Sequence, residues 1–310
     1  MTTGFVLSRL IVVFVAMAAG FIAVKSHVLD QKTGTVLSRV IVYIFNPCMM
    51  LSSALTSERI FSNEDIYAFT GIAAACYAFL IATSFAVSKL LRVPKGQDGL
   101  YRFMYIFSNI GFFGLPVISS LYGPQATFLV AIFNIPFQLL TFTYGITLVS
   151  GGRRKLQFKM FLHPMILSSL LAYALYLLRI DLPQPAIDAV AFLGQAGSPA
   201  AMLVVGIILA GAPLKKVFAN PRLYGLILVK MVLVPALVLL VLRRIFPAGE
   251  NVELIISVAV TVMAMPIAAN TAILSTQYGG DAENAACGVF LGTISSAATI
   301  PLLIWLIQTI

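Results

Sequence analysis

The sequence predicts an all-α polytopic membrane protein with ten transmembrane helices, and two observations carry this prediction. Of the 310 residues, 60% are apolar and only 10% are charged, against about 25% charged residues in an ordinary soluble domain. The apolar residues fall into long runs, and at about 20 residues per crossing they suffice for roughly nine or ten crossings of a lipid bilayer. This composition excludes a soluble enzyme, a nucleic-acid-binding domain and a disordered chain.

Ten apolar runs, separated by short polar connections, define the predicted spans. In chain order they cover residues 5–24, 33–55, 66–88, 101–122, 126–149, 161–178, 186–211, 221–242, 252–277 and 286–309. The longest basic connection, residues 151–159, lies in the middle of the chain. No polar stretch is long enough to form a domain outside the membrane.

The charges of the connections predict the orientation of the chain. The first, third, fifth and seventh connections carry thirteen lysines and arginines, whereas the even connections carry four. Because cytoplasmic loops are enriched in these residues, we expect the odd connections in the cytoplasm and both termini outside. The formal net charge of +9 has the same explanation and does not indicate a nucleic acid partner.

The odd number of spans in each half predicts an inverted repeat. With five spans in residues 1–155 and five in residues 156–310, the second half enters the membrane upside down relative to the first. Pro47 and Pro199 lie 152 residues apart, and Pro116 and Pro266 lie 150 residues apart, as expected for two copies of one unit. Inverted repeats of this kind are typical of secondary transporters.

Spans 4 and 9 each contain residues that interrupt a helix. Span 4 has an asparagine, two glycines and a proline in close succession, and span 9 has a proline followed by an amide. Irregular backbone is tolerated in a membrane only where it lines a cavity or is buried in protein, so broken spans at matching positions indicate a binding site. The alternative is a pair of kinked helices whose glycines serve close packing. The candidate substrate-binding residues are Asn109, Gly111, Gly114, Pro116, Pro266, Asn270 and Thr271.

Two further polar residues lie inside predicted spans. Asn134 in span 5 is another candidate for substrate binding. Lys230 in span 8 is a candidate for attracting an anion, because a charge in mid-membrane costs about 2.5–3.5 kcal/mol and is retained for a reason. Alternatively, the Lys230 side chain pairs structurally or snorkels to the cytoplasmic surface, since Arg222 at the span edge is about 12 Å away along a helix. Arg39, near the end of span 2, is expected at the membrane interface.

The middle of every predicted span lacks aspartate, glutamate and histidine. We therefore expect no carboxylate proton relay, no carboxylate-coordinated sodium, no metal or other cofactor, and no intramembrane enzyme, since each needs such groups. An uncharged site built from amides and open helix N-termini favours a small organic anion, because a helix N-terminus carries partial positive charge.

The residues of the two broken spans resemble the auxin efflux carrier family, in particular its bacterial members. The resemblance runs over essentially the whole chain and is carried by residues 108–116, 265–281 and 299–302 and by Phe45-Asn46-Pro47, in that order. It implies two inverted five-span repeats in which broken spans 4 and 9 cross at the substrate. It also implies a scaffold of spans 1, 2, 6 and 7, a transport domain of spans 3–5 and 8–10, an elevator-type movement and a homodimer.

The substrate implied by this resemblance is a carboxylate carried across a bacterial inner membrane, because the bacterial relatives are associated with malate, malonate and other carboxylates. Asn109 matches the asparagine at the family's crossing. Ser108 and Thr271 stand near positions where the plant carriers have prolines, and the long central loop of the plant proteins is absent, so auxin itself is not implied.

Two other functions compete with the organic-anion transporter. One is a sodium-coupled bile-acid-type symporter, although its Gly-Gly-Thr-Ala-Ser-Asn-like stretch and intramembrane glutamate do not occur in this sequence. The other is a membrane-embedded sensor or assembly protein that uses a transporter fold without transport.

Overall fold

The computed structural model of the chain describes residues 3–56, 60–152, 162–180, 182–211, 214–246 and 249–310. These residues form helices and connections and contain no β-sheet. The basic connection at 153–161 and the predicted boundary between the two halves lie outside the described residues. The helices are α1 (Thr3–Lys25), α2 (Gln31–Thr56), α3 (Asn63–Leu90), α4 (Asp98–Ile106), α5 (Ile110–Tyr122), α6 (Pro124–Val149), α7 (Pro164–Leu177), α8 (Gln184–Ala210), α9 (Leu214–Val217), α10 (Pro221–Ile245), α11 (Glu250–Met263), α12 (Asn270–Tyr278) and α13 (Ala282–Thr309).

These helices match the predicted spans closely. Within the described ranges, six helices are long and apolar enough to cross a membrane, namely α2, α3, α6, α8, α10 and α13. Four shorter apolar stretches lie in α1, α5, α7 and α11. Predicted span 4 is divided into α4 and α5, and predicted span 9 into α11 and α12. The chain is therefore a multi-pass helical membrane protein, and both expected interruptions are present.

Wider π-helical turns accompany three of the prolines. The turns at 41–45, 110–114 and 229–233 each end two residues before a proline, at Pro47, Pro116 and Pro235. A proline ring clashes with the carbonyl group four residues earlier, and that carbonyl lies inside the π-helical turn in each case. Widening the turn relieves the clash, and such turns are frequent at functional sites.

Helices α1 and α8 approach each other closely because both carry glycine at the contact. A methyl group at Gly20 would collide with the main chain of Leu203, and one at Gly206 would collide with the main chain of Met17. Helix α2 joins this pair through Gln31, whose Nε2 donates to the Ile207 carbonyl at 2.9 Å. Helices α1, α2 and α8 therefore form one tightly packed group, and α7 packs against α2.

A second group contains α3, α4 and α6. Arg102 on α4 is buried, and its guanidinium stacks on Phe85 of α3 with its centre 3.5 Å from the ring centroid. The guanidinium also donates hydrogen bonds to the hydroxyls of Ser84 on α3 and Tyr144 on α6. The hydroxyls of Thr83 and Tyr105 lie 2.9 Å apart. Polar contacts inside the membrane-buried part of the chain thus fix these three helices to each other.

Candidate functional site

The two helix interruptions lie against each other and are joined by main-chain hydrogen bonds. The Asn109 N–H donates to the Pro266 carbonyl at 2.7 Å, and the Ala268 N–H donates to the Phe107 carbonyl at 3.1 Å. Ser108 and Ile267 form an isolated antiparallel bridge between them. Backbone groups that lack a partner within their own helix are thereby satisfied, as the membrane requires.

Both helices that follow the interruptions begin at this contact. Asn109 is the N-cap of α5, and its Oδ1 accepts a hydrogen bond from the Phe112 N–H at 3.3 Å. Asn270 is the first residue of α12. The N-termini of α5 and α12 therefore meet, and each carries partial positive charge from its unpaired N–H groups.

A cavity of about 380 Å³ opens at the meeting point of the two N-termini. Its polar lining residues are Thr35, Ser38, Arg39, Asn46, Ser108, Asn109, Gln138, His163 and Asn270. Its apolar lining comes mainly from α2, α5, α6 and α12 and includes Val42, Tyr43, Phe112, Phe137, Phe142, Ile273 and Leu274. The cavity thus extends from the interruptions along the N-terminal half of α2 and the C-terminal half of α6.

Three amide side chains of the lining have atoms without a hydrogen-bond partner. Asn109 is 2% exposed and its Nδ2 is unpaired, while Asn46 is 1% exposed and its Oδ1 is unpaired. The Oδ1 of Asn270 is also unpaired. A buried polar group without a partner costs about 1–3 kcal/mol, so these atoms are candidates for contact with a polar ligand. The free donor on Asn109 suits a carboxylate oxygen.

The charge of the cavity wall favours an anion. Among the described lining residues, Arg39 is the one lysine or arginine, and there is no aspartate or glutamate. Arg39 is exposed and its position on α2 brings it into the cavity wall; its place at the membrane interface stays a prediction. His163, at the start of α7, lies between Tyr43 and Phe142 with ring centroids 5.9 and 5.0 Å away. Its Nδ1 accepts from the Met165 N–H at 3.3 Å, which leaves Nε2 as a donor.

Lys230 lies behind the cavity and does not reach the cytoplasmic surface. The residue is 1% exposed, and its Nζ donates to the Tyr105 carbonyl at 2.8 Å and to the Ser108 hydroxyl at 3.0 Å. Snorkelling is therefore the wrong alternative, and structural pairing is what the structure describes. Tyr105 is in the last turn of α4, where a cation is favourable because the helix C-terminus carries partial negative charge.

The structure brings three of the predicted substrate-binding residues to the cavity, namely Asn109, Gly111 and Asn270. Four others are buried next to the lining without being part of it. The Pro266 carbonyl accepts the hydrogen bond from the Asn109 N–H, and the Thr271 hydroxyl donates to the Ala268 carbonyl. Gly114 and Pro116 are buried in α5. Asn134 is buried between α6 and α7, with its Nδ2 3.1 Å from the Ser169 hydroxyl. A substrate role for these outlying residues stays a prediction.

Asn46 lines the cavity but was not among the predicted substrate-binding residues; the sequence indicated it only as part of a possible kink in span 2 and of the family resemblance. Its Nδ2 donates to the Gly111 carbonyl at 2.9 Å and so connects α2 to the first turn of α5. Gln138 and His163 were not predicted as lining residues at all. Gln138 lies one helical turn beyond Asn134, on the part of α6 that faces the cavity, and this spacing was the available signal.

A multi-pass helical chain with two interrupted helices meeting at a cavity has the features of a membrane transport protein. Comparison with known proteins agrees with this class. A family model described as "Membrane transport protein" matches residues 5–160 and 152–304, and the chain belongs to this family, that of the auxin efflux carriers. It is similar to a protein of Rhizobium meliloti (strain 1021) named as a proposed malonate transporter, with 26% identity over 286 residues that cover 88% of this chain and 87% of the relative.

Proposed function

We propose that the protein is a secondary transporter that carries small carboxylates across the plasma membrane. The observation that carries this proposal is the unpaired Nδ2 of Asn109, buried where the N-termini of α5 and α12 meet. A carboxylate at this point would receive a hydrogen bond from the amide and favourable electrostatic interaction from two helix ends. The name of the Rhizobium meliloti relative supports malonate as the first substrate to test.

The proposed architecture has ten membrane-spanning helices in two inverted repeats, with α4–α5 and α11–α12 as the crossing pair. Helices α1, α2, α7 and α8 are the proposed scaffold, which their close packing supports. The remaining long helices are the proposed transport domain. In an elevator-type movement the domain that holds Asn109 and Asn270 slides along the scaffold and carries the substrate with it, and two copies associate through the scaffold.

The position of the cavity supports a state that is open to the cytoplasm. Its wall uses the beginning of α2, the end of α6 and the beginning of α7, and these helix ends flank the first and fifth connections. Those connections are the basic ones, which the positive-inside rule assigns to the cytoplasm. Substrate would leave or enter through this opening before the transport domain moves.

Uptake of radiolabelled malonate into proteoliposomes tests the proposal, with two substitutions at one position. Asn109→Ala removes the donor and the N-cap together. Asn109→Asp keeps an oxygen that caps α5 but replaces the donor with a negative charge. We expect Asn109→Ala to weaken binding about ten- to a hundredfold, since a hydrogen bond to a charged group contributes about 1.5–3 kcal/mol, and Asn109→Asp to abolish uptake while the protein remains folded.

Leu302→Ala is the matched control, because this α13 side chain is 49% exposed and lies away from the cavity. Its uptake should equal that of the unmodified protein. Uptake that is insensitive to both Asn109 substitutions would contradict the proposed site. Malonate binding without uptake would instead favour a sensor that uses a transporter fold.

A further inference from the structure

The cavity has a second polar region, formed by Ser38 and Arg39 on α2, in addition to the one around Asn109. Arg39 and Asn46 lie on α2 on either side of the π-helical turn at 41–45, and both line the cavity. Asn46 reaches the Gly111 carbonyl at the inner end of the cavity. Arg39 therefore stands in the same wall, nearer the opening, beside Ser38.

Arg39 is exposed in the wall of the cavity. It makes no hydrogen bond or ion pair with any residue in the described part of the chain, and no described carboxylate lines the cavity beside it. A guanidinium presents a planar fork that matches a carboxylate in two parallel hydrogen bonds. The exposed guanidinium of Arg39 is thus available to an anionic group separate from the one that the amide of Asn109 receives.

We infer that Arg39 is a specificity-determining residue that binds the second carboxylate of a short dicarboxylate. This inference rests on the proposed function, in which the first carboxylate lies between Asn109 and Asn270. A monocarboxylate would bind only at the inner end of the cavity, between Asn109 and Asn270. A dianion without Arg39 would place its second charge against Val42 and Phe142, where an unpaired charge is unfavourable. The name of the Rhizobium meliloti relative makes malonate, a three-carbon dicarboxylate, the first length to test.

The test compares malonate with malonamate, its monoamide, which has the same size and one carboxylate fewer. Binding is measured by titration calorimetry on the purified full-length protein, at a pH where both carboxyl groups of malonate are ionised. We expect the unmodified protein to bind malonate about ten- to a hundredfold more tightly than malonamate. In Arg39→Gln the two affinities should become equal within about threefold, with malonamate affinity nearly unchanged.

Two further variants keep the result interpretable. Arg39→Lys retains the positive charge but loses the planar guanidinium that forms two parallel hydrogen bonds, so it should keep part of the preference for malonate over malonamate. Lys32→Gln changes an exposed cation on the same helix, outside the cavity. This variant should keep the full preference for malonate over malonamate. Binding of malonamate by Arg39→Gln also demonstrates that the site is folded.

The outcomes separate this inference from the proposed function. If Arg39→Gln keeps the preference for malonate, or loses affinity for both compounds equally, Arg39 does not bind the second carboxylate and the inference is overturned. If the unmodified protein binds both compounds equally well, the inference is overturned while the carboxylate site stands. If it binds neither, the proposed function fails and the inference fails with it.

Discussion

The ammonium group of Lys230 on α10 lies 2.8 Å from the carbonyl oxygen of Tyr105 in the last turn of α4. The same ammonium donates to the hydroxyl of Ser108 at 3.0 Å. A buried cation thus closes the carbonyl end of α4 immediately before the interruption. Lys230 stabilises the junction on the side away from the cavity, while Asn109 lies on the side that faces the cavity.

Replacing Lys230 with methionine keeps the side-chain length but removes the donor. We expect a loss of about 1.5–3 kcal/mol of stability, because the Tyr105 carbonyl and the Ser108 hydroxyl lose a charged partner, and a lower melting temperature of the purified protein. Malonate affinity of the folded fraction should stay within about threefold. Lys216→Met is the control, since Lys216 forms an exposed ion pair with Glu283 that contributes little. A large loss of affinity with unchanged melting would instead assign Lys230 to the substrate.

Gly206→Ala should destabilise the protein by about 1–3 kcal/mol or more, because the added methyl group collides with the Met17 main chain and forces α1 away from α8. Gly71→Ala in α3 is a matched control, since a methyl group there meets no other atom within 4 Å. In that open helical position alanine is favoured over glycine by about 0.5–1 kcal/mol. Thermal unfolding in detergent measures both changes, and equal melting temperatures would contradict the close contact of α1 and α8.

The orientation of the chain is tested by cysteine labelling after Cys48, Cys76 and Cys287 have been replaced by serine. In intact cells, Thr3→Cys should react with a membrane-impermeant thiol reagent, because the termini are expected outside. Ser26→Cys, in the exposed first connection, should react only after permeabilisation. The reverse pattern would invert the proposed topology and the charge argument behind it.

The opening of the cavity can be tested with the same cysteine-free protein. Ser38 lines the cavity on α2, so Ser38→Cys should react from the cytoplasmic side only. Malonate should slow this reaction, because bound substrate would occupy the space beside residue 38. Labelling from outside, with no protection by malonate, would contradict a cytoplasm-facing opening.

The sequence contains enough information to predict the helices and both interruptions. Proline cannot continue a helix without losing a hydrogen bond, and glycine and asparagine weaken it further. Such residues therefore indicate where span 4 and span 9 break, and the breaks at 107–109 and 264–269 fall inside the predicted stretches. Hydropathy places the helices to within several residues, because lipid imposes one strong constraint on every crossing segment.

The direction of individual polar side chains could not be predicted in this way. Arg39 precedes the π-helical turn at 41–45, and Lys230 lies within the one at 229–233. A π-helical turn shifts the faces of a helix away from the 3.6-residue period, so a regular helical wheel does not place residues correctly across it. Consequently the sequence could not decide between the alternatives for Lys230, and it did not indicate that Arg39 lines the cavity.

Main-chain atoms make the contact between the two interruptions, from Asn109 to Pro266 and from Phe107 to Ala268. Such bonds persist when side chains change, because main-chain atoms make them even where the residue, such as Asn109 or Ala268, also lines the cavity. Substitution of side chains in the cavity wall, in evolution or in the laboratory, can therefore change substrate preference while the main-chain contact between the two interruptions is kept. Related chains with different cargoes should differ most in this wall and least in the backbone path that supports it.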